Sequence, residues 1–172
     1  MVLTCACSGA SDAASPPVNA WVDHGAWSLV ATPEADPFAA AHARPNVHAC
    51  ESGAYFQPTA DTFEVELARC RERYVSLRQP SVRELHAGDS LQFTLSHLLL
   101  RPLTESVTEA YLGLTVNARL VWELRLQIAA PSNDYVVSVP ITAEFPMGSD
   151  VVLHLNNHGE NSYTFSPMVV AR

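Results

Sequence analysis

The sequence predicts an all-β domain, an antiparallel sandwich or barrel of about eight or nine strands. Three observations predict it. Apolar residues alternate with a period of two in short runs, as in Leu91, Phe93, Leu95, His97 and Leu99. Turn-forming residues separate these runs at short spacing. No stretch carries the longer period of an extended amphipathic helix. The 172 residues fit one domain of ordinary size. A hydrophobic content of 48% with only 16% charged residues excludes disorder throughout.

The elements follow in chain order. Residues 1–20 read as a signal remnant and tether, and 21–172 as the single β-sandwich domain. From Trp21 to Phe56 the pattern is irregular. Trp27, Leu29 and Val30 form a candidate first strand, and Ala39–Ala43 a helical turn or two, ended by Arg44-Pro45. The burial of Trp21 and Trp27 is left open. Phe63, Val65 and Leu67 then alternate with Thr62, Glu64 and Glu66, a strand with one wet face. Short candidates cover Tyr74–Leu77 and Val82–Leu85. The long run ending at Leu99 is next, then Leu112, Leu114 and Val116. Asn117-Ala118-Arg119 is a tight connection. In the run Leu120, Trp122, Leu124, Leu126 and Ile128, Trp122 belongs to the core and Glu123 does not. Pro140 argues that the run through Val137, Val139 and Ile141 lies at an edge. Val151, Leu153 and Leu155 and the run Tyr163–Val170 close the domain. The acidic residues Glu64, Glu66, Glu72 and Glu84 read as a solvated edge.

Charge and composition narrow the function. The net charge is −8, and all 10 basic residues are Arg. Without a cationic face the chain is a poor partner for nucleic acid. The lack of Lys excludes Schiff-base and Walker-type chemistry. No apolar run reaches the 18 residues that read as a membrane span.

The N-terminus, Leu3-Thr4-Cys5-Ala6-Cys7-Ser8-Gly9, resembles the end of a bacterial lipoprotein signal, with a small residue before the Cys. Cys7 is the better acylation acceptor because Ala6 precedes it. The resemblance departs in lacking a charged n-region and in showing only a fragment of an apolar h-region. It implies an exported protein of the bacterial cell envelope, periplasmic or at the surface, that meets a membrane only through its lipid. Cys50 and Cys70 then remain as a disulfide or as two buried thiols, and export favours the disulfide.

The segment Val75–Leu95 (VSLRQPSVRELHAGDSLQFTL) and the closing runs Asp150–Leu155 and Tyr163–Val170 resemble galactose-binding-like jelly rolls, carbohydrate-binding modules among them. The resemblance covers the last hundred residues or so. Cys50, Cys70 and the loop Asn157–Asn161 also resemble lipoproteins of GC-rich bacteria. A jelly-roll sandwich and a non-catalytic, glycan-binding role are what the resemblance implies.

No catalytic constellation stands out. There is no G-x-S-x-G elbow and no H-E-x-x-H, so no enzyme is expected. Glu123, Arg125, His154 and Asn156 point away from the core phase. If their strands share a sheet, these side chains form a polar outer face, with Gln92, Thr94 and Tyr111 as further candidates. Asn157, His158 and Asn161 in the NHGEN loop add hydrogen-bonding groups beside it. Glycan recognition uses such groups together with an aromatic ring. The alternative is a Zn or Cu site from His97, His154 and His158, completed by Glu123. Calcium, which prefers oxygen ligands, would rest on Asp150 and Glu160. No cofactor is otherwise expected. A third reading is a protein-interaction lipoprotein with no small ligand. His97 shares the phase of Leu91–Leu99, so its ring is expected to face the core.

Overall fold

The computed structural model describes residues 19–102, 109–156 and 161–172. Those residues form eleven strands: β1 (Ser28–Leu29), β2 (Tyr55–Thr59), β3 (Thr62–Glu66), β4 (Tyr74–Pro80), β5 (Ser90–His97), β6 (Glu109–Val116), β7 (Arg119–Gln127), β8 (Asn133–Pro140), β9 (Asp150–Asn156), β10 (Ser162–Phe165) and β11 (Val169–Ala171). One sheet has the order β1-β4-β9-β6-β7. In the other, β3 lies between β2 and β10, while β5 takes β10 and β11 along one side and β8 along the other. Every pairing is antiparallel. From β3 to β10 the chain changes sheet at each connection except the β6–β7 hairpin, which is the connectivity of a jelly roll. The all-β sandwich is therefore as the sequence predicts.

Alternation explains the core. Leu91, Phe93 and Leu95 of β5 face Leu112 and Leu114 of β6 and Val151, Leu153 and Leu155 of β9 across the sandwich, with Phe63, Phe165 and Trp21 also buried. Trp27 is buried too, which answers the question left open for both tryptophans. The hairpin turns on Asn117 and Ala118, at φ 48° and 61°, the two-residue turn whose twist suits paired strands. Asn117 is tied down by its Oδ1, which accepts the Asp150 N–H at 2.9 Å.

Some expectations are corrected. Leu114 pairs with Trp122 but Thr115 with Leu120, so the register slips at Val121. Leu120 therefore turns to solvent rather than sharing a face with Trp122. Trp122 does pack on the core, edge-to-face with Phe93 at 5.2 Å, but stays half-buried on an edge strand. Residues 39–43 form turns, not a helix. Val82–Leu85 holds only a bridge from Leu85 to Phe145. The closing strand is split into β10 and β11. At the break Ser166 N–H donates to Thr94 O, and Ser166 Oγ accepts the Thr94 N–H at 2.7 Å.

Cys50 and Cys70 form a disulfide, S–S 2.01 Å, across an isolated bridge between their backbones. It lies between the irregular N-terminal segment and the start of β4.

Candidate functional site

Strand order decides what the sequence could not. The register places Glu123, Gly113, His154 and Ser76 in one row across β7, β6, β9 and β4. Arg125, Tyr111, Asn156 and Tyr74 form the next row. Glu123, Arg125, His154 and Asn156 thus do share the outer face of one sheet. Gln92 and Thr94 lie on β5 in the opposite sheet, so they cannot join them.

That face is not open at His154. Residues 30–48 run over it as a strap. Phe38 stacks on the His154 ring at 4.6 Å and 14°, and His42 lies 4.2 Å from the Tyr111 ring. His154 is fully buried, with Nδ1 2.8 Å from Ser76 Oγ. The exposed ligand-contacting position expected of His154 is corrected on this ground: Phe38 and His42, remote in sequence, cover it. Ser76 is fully buried as well, so this Ser–His pair presents no hydroxyl to a substrate.

A buried polar hub holds the strap. Asp36 Oδ2 accepts hydrogen bonds from Arg44 at 2.7 Å and from the Tyr74 hydroxyl at 2.8 Å, while Oδ1 accepts the Phe38 N–H. Arg44 also donates to Val30 O. His48 Nε2 accepts the Ser76 N–H, so its proton sits on Nδ1 and is donated to Val30 O at 2.9 Å. Burial holds both His42 and His48 below the ordinary imidazole value. Burial, reinforced by the Glu123 carboxylate, pushes the Tyr111 hydroxyl up to about 12. At the rim, Glu123 and Arg125 remain exposed; Arg125 pairs with Glu109 at 2.6 Å and lies 4.9 Å over the Tyr111 ring. Asn156 is half-buried.

The other expected groups are scattered. Asn157, His158 and Glu160 lie outside the described residues. Asn161 is buried, its Oδ1 accepting the Arg101 N–H at 3.3 Å. His97 sits on β5 and His154 on β9, in opposite sheets, with separate ring neighbours. Among the described residues no three His, Cys, Asp or Glu side chains gather as metal donors. Asp150 gives both carboxylate oxygens to Arg78, at 3.1 and 2.8 Å. Cys7 also lies outside the described residues.

An open polar surface lies on the opposite sheet. A cleft of about 490 Å³ is lined by Glu64, Ser96, His97, Asp134, Ser162 and Thr164, with Leu98, Ser132 and Asn133 at its margins. Its floor is a register row. Glu64 of β3 pairs with Thr164 of β10, Thr164 with Ser96 of β5, and Ser96 with Asp134 of β8. Directly paired residues present side chains on the same face. Phe56 of β2 pairs with Glu64 and extends the row by an aromatic ring that is 37% exposed. His97 belongs to the wall, 4% exposed, with Nδ1 2.7 Å from Leu98 O. Sequence reading gave the outward phase of Glu64, Thr94 and Ser96. It missed the row because register is a tertiary fact, and because Phe56 sits in no alternating run.

No family model matches the chain, and no curated protein does. Solved structures do. One is a carbohydrate-binding module specific for non-crystalline cellulose, at 10% identity and a TM-score of 0.45, covering 92% of this chain and 96% of that one. Another is the N-terminal cellulose-binding domain of Cellulomonas fimi β-1,4-glucanase C, at 8% identity and a TM-score of 0.45, covering 73% of this chain and 86% of that one. A third is an arabinose-bound α-L-arabinofuranosidase, at 13% identity and a TM-score of 0.44; the match covers 88% of this chain but only 26% of the enzyme. Carbohydrate-binding modules thus stand among the solved structures that this chain is similar to, as the resemblance of Val75–Leu95 implied.

Proposed function

We propose that the chain is a non-catalytic module that binds an oligosaccharide along the cleft of the second sheet. The observation that carries this reading is the row Phe56, Glu64, Thr164, Ser96 and Asp134 on an open face. A sugar offers an apolar ring face and a rim of hydroxyls. Phe56 supplies the flat apolar partner. The carboxylates accept hydroxyl protons, and the serine and threonine hydroxyls both donate and accept. Because the row lies on paired strands, its side chains are held by the sheet, which reduces the ordering cost of binding. Glu123, Arg125 and Asn156, on the other sheet, stand outside this cleft.

The same reading makes the module an exported one. The Cys50–Cys70 disulfide supports it, since such bonds persist in oxidising compartments. Acylation at Cys7 would tether it to the bacterial envelope, and the mass of the N-terminal peptide from cells tests that tether.

The binding test is a glycan array followed by calorimetric titration of the full chain with the strongest hits. Phe56→Ala and Thr164→Val should each weaken binding about tenfold, or ~1.4 kcal/mol, without changing the circular dichroism. An array with no hit, or a Phe56→Ala variant of unchanged affinity, would overturn the assignment.

A further inference from the structure

The charges of the cleft bear on which glycans it accepts. Glu64 and Asp134 stand at its two sides, three strand spacings apart, or ~14 Å. Among the described residues neither carboxylate has an ion-pair partner. The neighbouring Glu66 differs: it is paired with Arg69 at 2.5 Å. Among the described residues no Arg lines the cleft, and between the two carboxylates lie only the hydroxyls of Thr164 and Ser96. His97, buried in the wall, has an Nε2 with no hydrogen-bond partner among the described residues. The net charge of −8 makes the surrounding field negative too.

Two open carboxylates without a compensating base repel uronate and sulfate groups. They attract an ammonium group, and a charge-assisted N–H···O bond is about twice as strong as a neutral one. We propose that the cleft is built for glycans bearing free amino groups, with hexosamine ammonium groups meeting Glu64 and Asp134, and that it rejects acidic glycans. This rests on the glycan-binding reading above and narrows it to a substrate class. The spacing of the carboxylates calls for at least two amino sugars along one oligomer, since one sugar ring cannot reach both sides.

The test is calorimetric titration of the full chain with three oligosaccharides of matched length: de-N-acetylated glucosamine oligomers, their N-acetylated counterparts and oligogalacturonate. Each is run at low salt and at ~0.15 M salt. The amino form should bind at least tenfold tighter than the N-acetylated form at low salt, and the galacturonate should not bind. Glu64→Gln with Asp134→Asn should erase the preference, so that the amino and N-acetylated forms bind this variant with equal affinity. As a control, Glu51→Gln with Glu84→Gln removes two exposed charges away from the cleft and should leave the preference intact. If the control pair erases it equally, bulk charge is responsible and the inference fails. Equal binding of the amino and N-acetylated forms also overturns it, while glycan binding itself stands. Binding of none of the three, alongside an empty glycan array, would remove both readings together.

Discussion

Gly113 is where the strap meets the sheet, and replacing it separates two opposed effects. A Cβ built there lies 2.6 Å from Phe38 Cε1, 2.8 Å from Phe38 Cζ and 3.0 Å from a Tyr111 ring carbon. Carbon atoms pack at about 3.5–4.0 Å, so the methyl would overlap the Phe38 ring by roughly 1 Å. Phe38 cannot swing aside freely. It is stacked on His154, and its own N–H is bound by Asp36. Overpacking of this kind costs about 1–3 kcal/mol. Against it, alanine in a strand interior is favoured over glycine by about 0.5–1 kcal/mol. Overpacking wins, and Gly113→Ala should destabilise by about 1–2 kcal/mol. The assay is urea unfolding with the disulfide kept oxidised, repeated in a Phe38→Ala background. Once the ring is gone the clash is gone, and Gly113→Ala should become neutral or stabilising. A change of sign between the two backgrounds is the signature. A neutral or stabilising Gly113→Ala in the otherwise unchanged protein would refute the packing described for the strap.

Three further outcomes are expected. Opening the 20-residue loop by Cys50→Ala with Cys70→Ala should cost about 3 kcal/mol in denaturant titration, and peptide mapping under non-reducing conditions should recover the two cysteines as one linked pair. Burial lowers His24 to about 4, and among the described residues its ring nitrogens have no hydrogen-bond partner. Because the folded value lies below the unfolded 6.5, the unfolded chain binds more protons between the two. Stability is therefore full above pH 6.5 and falls as the pH drops toward 4, by up to about 3 kcal/mol from this residue, with His42 and His48 acting in the same direction. A His24→Phe variant should show a shallower acid slope in thermal melts across that window; an identical slope would contradict the assignment. Ala118 holds a φ of 61°, so Ala118→Gly should stabilise the hairpin by about 1 kcal/mol, and a loss on thermal melting would count against the turn geometry.

The sandwich was legible where one face is wet and the other dry. Phe63 and Val65, or Leu91 through Leu95, announce themselves by alternation, and their burial follows the phase. β2 was not legible, because Tyr55–Thr59 contains Gln57 and Pro58 and sits at an edge where little is buried. Leu120 was misplaced because a bulge shifts the phase without leaving a mark in composition. The candidate sites show the same division. The outward phase of His154 was correct, yet phase cannot say that Phe38 comes from over a hundred residues away to cover it. The row from Phe56 to Asp134 draws on four separate connections, and no local pattern predicts that they align.

The strap has a further consequence through its attachments. At one end Ser28 and Leu29 are paired into β4, and at the other Cys50 is bonded to Cys70 just before the same strand. Were the segment to open by local unfolding, it could travel no farther than its own tethers allow. It would remain before its seat at a high effective concentration, so reclosure would outcompete any dissolved ligand for the aromatic face beneath. The two sheets therefore have unlike fates: over His154 one outer face is reserved for the chain itself, while the cleft on the other lies open to solution.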